Sequence, residues 1–168
     1  MKRWFVSSVV LLTAILSLVS LAPSQQPLRG PIQPLPFSHK QHAGTLSLDC
    51  KMCHVNPDPG ELMTYPAASI CMTCHSSIKT DSPHIQELAK AASENRPIEW
   101  VRVYEVPGFV YFNHRTHLAT GAACQKCHGE VQTRERVFVD ADMTMSGCMN
   151  CHMENSAPID CNFCHDQI

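Results

Sequence analysis

The sequence predicts a mostly irregular fold with short α-helices, built from two duplicated repeats and without a conventional apolar core. Three observations lead to this prediction. All ten cysteines belong to five copies of one short motif. A second motif, F-x-H-x-x-H, occurs twice, each time at a similar distance before copies of the first. Aromatic residues, which contribute much of the packing energy of ordinary cores, make up only 7% of the chain.

The five-copy motif is C-x-x-C-H, the attachment sequence of c-type haem. Its two thiols add to the vinyl groups of haem, and its histidine becomes an axial ligand of the iron. The predicted attachment residues are Cys50, Cys53, Cys71, Cys74, Cys124, Cys127, Cys148, Cys151, Cys161 and Cys164. The predicted proximal ligands are His54, His75, His128, His152 and His165. We therefore expect five covalently attached haem c groups, which form the core that so short a chain could not build alone.

Two other classes of site use many cysteines. A disulfide scaffold would not require a histidine directly after every second cysteine. A zinc-ribbon array pairs its C-x-x-C units, and five units would leave one without a partner. The multihaem interpretation accounts for both features.

The two F-x-H-x-x-H segments mark an internal duplication. Phe37 and Phe112 lie 75 positions apart, and Cys50 and Cys124 lie 74 positions apart. Near-constant offsets of this kind indicate repeated structural units. The predicted divisions are a haem domain at 37–168, repeats at about 37–80 and 112–153, and an extra haem at 161–165.

Between the repeats, the sequence predicts one regular helix. Ser82 is a suitable N-cap residue, and Pro83 is suited to the first helical position. Ile85, Leu88 and Ala92 would then share one face of a helix that runs to about Ala92.

Histidines outside the attachment motifs match the haems in number. They are His39, His42, His84, His114 and His117. Within each F-x-H-x-x-H segment the two imidazoles lie one helical turn apart and point the same way. They cannot occupy both faces of one iron, so each pair is expected to serve two different haems. For the fifth haem, His84 is the first candidate for the distal ligand, Met145 is the alternative, and a haem without either ligand is the third possibility.

The N-terminal segment predicts export. Lys2 and Arg3 precede an uncharged apolar run, so 1–24 is either a signal peptide or an N-terminal membrane anchor. A proline-rich linker follows at 25–36. These features predict that the haem domain lies on the periplasmic side of a bacterial inner membrane, or that it is exported. The chain has a net charge of −2 and lacks a basic patch, which argues against nucleic acid as a partner.

The ligand count also bears on catalysis. A haem enzyme that reduces a substrate needs an open iron position, whereas here all five motifs are intact and further ligands are present. We therefore expect an electron carrier and not an enzyme, with a multihaem reductase as a remote alternative.

Several segments between 37 and 152 resemble the pentahaem cytochrome c subunit of alternative complex III, and more broadly the class III type multihaem cytochromes. They are Phe37-Ser38-His39-Lys40-Gln41-His42, Leu48-Asp49-Cys50, Trp100-Val101-Arg102-Val103-Tyr104, Val110-Tyr111-Phe112 and Cys124-Gln125-Lys126-Cys127-His128-Gly129. The resemblance implies a periplasmic subunit that receives electrons from membrane quinol-oxidising subunits and passes them on, for example to another cytochrome c. It also implies that the first histidine of each segment serves the haem attached next in sequence. The alternative is a free periplasmic shuttle or an extracellular multihaem wire.

The motif count gives a direct prediction. Protein produced with a haem-attachment system should show five haem mass increments by intact-mass spectrometry, because every motif is complete and no cysteine is left over. A homogeneous sample with fewer increments would contradict the assignment.

Overall fold

The structure is a computed structural model that describes residues 29–55 and 62–165. The predicted signal peptide or anchor at 1–24 and the start of the linker lie outside these residues. Among the residues described, none belongs to a helix with the length and apolar character needed to span a bilayer.

The described part of the chain is helical and irregular, with no β-strand. Its α-helices are Cys50–Cys53, Ala68–His75, Pro83–Ser93, His114–Ala119, Gln125–His128, Met145–Glu154 and Cys161–Cys164. A π-helical segment at Lys40–Thr45 and a 3-10 turn at Val131–Thr133 complete the regular structure. The predicted fold of short helices in an irregular chain is therefore confirmed.

Side-chain caps begin three of the short helices. Asp49 accepts a hydrogen bond from the backbone N–H of Lys51 at 2.8 Å, directly before the Cys50–Cys53 helix. Asn113 and Thr144 cap the helices that follow them in the same way. Each cap satisfies an N–H group that has no partner within the helix. The capped turns hold histidines or attachment cysteines at fixed positions.

The predicted helix between the repeats runs from Pro83 to Ser93, within one residue of the expected end. The expectation for Ser82 was half right. It is the N-cap residue, but its side chain makes no capping bond, and its carbonyl accepts the N–H groups of Ile85 and Gln86 instead. Leu88 on the predicted face is buried at 5% exposure.

The polypeptide builds almost no core of its own. Ala68, Leu88 and Ala91 are the only buried residues among those described, and they join the Ala68–His75 and Pro83–Ser93 helices. Phe109 and Phe163 stay more than 60% exposed. Three small or medium side chains bury too little apolar area to offset the entropy of ordering a chain of this length. The fold therefore depends on another source of buried apolar surface.

Several polar contacts join the two repeats. The backbone N–H of Lys40 donates to the carbonyl of Arg134 at 2.9 Å, and the Lys40 ammonium lies 3.8 Å from the Glu135 carboxylate. A side chain at Gly44 would collide with the carbonyl oxygen of Gln132. The π-helical segment thus packs closely against the 3-10 turn of the second repeat.

Candidate haem-binding sites

Four pairs of imidazole rings face each other across the fold. In each pair one ring comes from an F-x-H-x-x-H segment and the other from an attachment motif. His39 faces His54 with ring centroids 6.3 Å apart, and His114 faces His128 at the same distance. The ring planes of these two pairs differ by only 6° and 7°.

The second histidine of each segment makes the corresponding contact with a later motif. The centroids of His42 and His75 lie 6.1 Å apart, as do those of His117 and His152. Their ring planes are tilted by 55° and 47°. The two repeats therefore share one arrangement, in which the first ring pair is nearly parallel and the second is tilted.

These separations fit a metal ion held between two imidazoles. A metal–imidazole bond is about 2.0–2.1 Å long and a ring nitrogen lies about 1.1 Å from its ring centre, so two trans ligands have centroids about 6.3 Å apart. Stacked rings without a metal prefer closer contact, because attraction between the rings falls off quickly with distance. The two residues of each F-x-H-x-x-H segment face different partners, as the turn geometry requires.

Phenylalanine orients the imidazoles in both segments. The ring of Phe37 stacks on His42 at 4.4 Å and meets His39 edge-on at 4.9 Å. Phe112 contacts His114 edge-on at 4.7 Å and lies 4.9 Å from His117. One aromatic ring thus separates two imidazoles and sets their directions. The sequence shows this Phe in the repeated motif, although its orienting role appears only in three dimensions.

Backbone carbonyls hold five of the histidine rings through their Nδ1 atoms. Because a carbonyl can only accept, Nδ1 must carry the proton, and Nε2 keeps its lone pair for a metal. The Nδ1-to-oxygen contacts are His42 to Ser38 at 2.9 Å, His54 to Thr64 at 2.9 Å, His75 to Ile78 at 3.0 Å, His117 to Asn113 at 2.8 Å and His152 to Pro158 at 2.6 Å. Distal and proximal rings share this support.

Two other rings are kept neutral by their surroundings. Burial, followed by the neighbouring His54 and His42, lowers the pKa of His39 to about 4. Burial, followed by His114 and His54, also lowers the pKa of His128. A neutral imidazole is the form that binds metal, so both rings are ready to do so at neutral pH.

Tyr104 braces the ring of His128. The two rings meet edge-on with centroids 4.4 Å apart. The Tyr104 hydroxyl donates to the carbonyl of Phe138 at 3.2 Å and accepts from the N–H of Asp140 at 3.0 Å. Tyr104 closes the W-V-R-V-Y segment, which the sequence marks as distinctive without revealing this contact.

Several features around the rings suit a porphyrin. All ten cysteines lie in the described residues, and none forms a disulfide. No group of three or more metal-ligating side chains occurs in the part of the chain that the structure describes. The Trp100 indole N–H is buried without a hydrogen-bond partner among those residues, close to Phe37. A haem carboxylate is a group that such a buried donor would satisfy.

A cavity of about 440 Å³ lies between the first attachment motif and the His114–Ala119 helix. This volume is within the usual range for small-molecule sites. Its lining residues are Lys51, His54, Val55, Met63, Arg115, Leu118 and Ala119. The apolar members of this set suit the face of a macrocycle.

The fifth motif occupies the Cys161–Cys164 helix and His165. The backbone N–H of Tyr111 donates to the Cys164 carbonyl at 2.6 Å, which ties this motif to the second F-x-H-x-x-H segment. The two candidate distal ligands differ in position. All ten histidines are described, and His84 alone is exposed. Met145 is 65% exposed and begins the helix that carries the fourth motif.

Two protein families match the chain in succession. Residues 18–99 match the class III cytochrome C family, and residues 110–167 match the family of cytochrome c7 and related cytochrome c. Both matched families consist of multihaem cytochromes c, and the two matches together give the chain two consecutive cytochrome c3-type domains. The predicted construction from duplicated haem-binding repeats is confirmed.

The chain is also similar to the multihaem cytochrome c subunit of menaquinone reductase from Nitratidesulfovibrio vulgaris (strain Hildenborough). The two are 28% identical over 123 residues, which is 73% of this chain and 52% of the relative. The chain therefore spans about half the length of that protein.

The ring pairs yield a ligand prediction. Changing His114 to Ala should leave the iron beside His128 without its distal ligand. The absorption spectrum should gain a high-spin contribution, and the reduced protein should bind carbon monoxide. His114→Met should keep that iron six-coordinate and raise its potential, since a thioether favours the reduced state. An unchanged spectrum in His114→Ala would contradict the pairing.

Proposed function

We propose that this chain is the periplasmic cytochrome subunit of a membrane complex that exchanges electrons with the quinone pool. It would carry electrons through five covalently attached haem c groups. The observation that carries the proposal is the set of four facing imidazole pairs, each of which brings a histidine of an F-x-H-x-x-H segment against the histidine of an attachment motif. Bis-histidine ligation closes both axial positions of an iron, which favours electron transfer over substrate binding.

Each part of the chain has a distinct task in this proposal. The ten motif cysteines hold the haems, and the motif histidines are the proximal ligands. His39 and His42 are distal ligands for the haems at the first and second motifs. His114 and His117 are distal ligands for those at the third and fourth. When bound, each haem supplies a one-electron redox centre, whose potential depends on its ligands, burial and hydrogen bonds.

We assign the distal position of the fifth haem to Met145 in preference to His84. Met145 lies one turn before Cys148, on the helix that carries the fourth motif. Burial, followed by the neighbouring Cys164, raises the pKa of Cys148, which supports a position for this helix beside the fifth motif. His84, by contrast, belongs to a helix that packs against the second motif.

Methionine ligation has its own spectroscopic signature. Met145→Ala should remove the methionine–iron charge-transfer absorption in the near infrared and lower the potential of one haem. Met153→Ala is the matched control, because Met153 is an exposed methionine on the same helix. If His84→Ala opens an iron to carbon monoxide while Met145→Ala leaves the spectrum unchanged, the assignment is wrong.

The partner proposal rests on two likenesses that point to membrane quinone chemistry. The resemblance to alternative complex III implies quinol oxidation, whereas the relative in Nitratidesulfovibrio vulgaris is named as part of a menaquinone reductase. Both descriptions combine a multihaem cytochrome with quinone chemistry and differ in the direction of electron flow. The direction is therefore an outcome of the test.

Purification from native membranes tests the complex. After mild detergent extraction, the tagged chain should co-purify with membrane subunits, and its haems should be reduced by menaquinol or oxidised by menaquinone. Replacing residues 1–24 with a cleavable signal peptide separates anchoring by this segment from attachment through partners. Recovery of all the protein from the periplasmic fraction without partners would favour the free shuttle and contradict the proposal.

A further inference from the structure

The five attachment motifs do not lie in space in the order in which they occur along the chain. We number them by sequence: motif 1 at 50–54, motif 2 at 71–75, motif 3 at 124–128, motif 4 at 148–152 and motif 5 at 161–165. Their spatial order decides which centres are at the ends of an electron path and which lie between them.

Motifs 1 and 2 are neighbours because one short segment faces both. His39 and His42 are three residues apart and face His54 and His75 respectively. The attachment cysteines agree with this placement. Burial, followed by the neighbouring Cys53 of motif 1, raises the pKa of Cys71 in motif 2.

Motifs 3 and 4 are neighbours for the same reason in the second repeat. His114 faces His128, and His117 faces His152.

The two repeats meet at motifs 1 and 3. The backbone N–H of Lys40 donates to the carbonyl of Arg134, six residues after His128, at 2.9 Å. Burial, followed by the neighbouring Cys124, raises the pKa of Cys50. The π-helical segment at Lys40–Thr45 packs on the 3-10 turn that follows motif 3. The cavity beside His54 is closed on its other side by Leu118 of the second repeat.

Motif 5 lies beside motif 4. The Nδ1 of His152 in motif 4 donates to the carbonyl of Pro158, three residues before Cys161, at 2.6 Å. The Cys164 carbonyl accepts the N–H of Tyr111, and burial, followed by Cys164, raises the pKa of Cys148. The Ala68–His75 helix of motif 2 packs instead against the Pro83–Ser93 helix.

We infer that the five motifs form one unbranched series in space, in the order 2, 1, 3, 4, 5, with motifs 2 and 5 at its ends. Electrons that cross the molecule between its ends must then pass the junction between the repeats, where Cys50 approaches Cys124. Motif 1, which is nearest the N-terminus, therefore lies inside the series and not at one of its ends. This inference rests on the proposed function only in requiring that every motif carries a haem.

The spatial order of the five haems can be measured on the isolated protein, without a partner or a quinone. In the fully reduced protein, low-spin haems are diamagnetic, and nuclear Overhauser contacts between haem substituents identify direct neighbours. Haem signals are assigned to motifs by the distal variants His39→Met, His42→Met, His114→Met and His117→Met, each of which alters one haem. Contacts are expected between motifs 2 and 1, 1 and 3, 3 and 4, and 4 and 5.

Contact of the motif 2 haem with that of motif 3, 4 or 5, or no contact between motifs 1 and 3, would overturn the order. Intact mass reports haem attachment separately, so loss of a haem is distinguishable from a wrong order. Isolation of the protein without membrane partners would refute the proposed complex and leave the contact pattern valid.

A glycine variant tests the junction itself. In Gly44→Ala, the added methyl group meets the carbonyl oxygen of Gln132, so the contact between motifs 1 and 3 should weaken while that between motifs 3 and 4 persists. Gly108→Ala is the matched control, because nothing lies within 4 Å of a methyl group at that position. A contact between motifs 1 and 3 that is unchanged in Gly44→Ala would overturn this placement of the junction.

Discussion

The rest of this fold depends on pairs of imidazole rings that come from distant parts of the chain and face each other. Only three described residues are buried, so hydrophobic packing between side chains cannot organise the molecule. Each ring pair instead brings a short turn against an attachment motif elsewhere in the sequence. In the proposed haem sites, covalent bonds to cysteines and coordinate bonds to histidines would hold the irregular backbone in place, where a small core cannot.

Duplication explains why the geometry recurs. In both repeats a phenylalanine separates two histidines and turns one ring edge-on and the other more nearly face-on to itself. This difference accompanies the nearly parallel planes of the first ring pair and the tilted planes of the second. In the proposed haem sites, this difference would give each repeat two kinds of iron centre, because the relative orientation of the two imidazole planes affects the electronic structure of the iron. The fifth motif lies outside this scheme, which is consistent with a different distal ligand.

Several features of the structure could be predicted directly from the sequence. The C-x-x-C-H motifs, the paired histidines and the Pro83–Ser93 helix follow from local spacing, which short-range chemistry determines. Other features could not. The orienting role of Phe37 depends on ring positions, and the bracing of His128 by Tyr104 joins residues 24 positions apart. Ser82 has the right residue type for a side-chain cap, yet its hydroxyl does not make that bond, because cap geometry depends on the rotamer as well as the residue.

The sequence by itself determined the motifs on which the proposed chemistry rests: five C-x-x-C-H motifs and two duplicated F-x-H-x-x-H segments. Those properties are local, since a motif of five or six residues contains all the atoms that define it. Only the tertiary structure decided which histidines face each other, which repeat contacts which, and where the fifth motif lies. These depend on packing between segments far apart in sequence. Local spacing imposes no long-range order, and the close approach of Gly44 to Gln132 is visible only once the chain is folded.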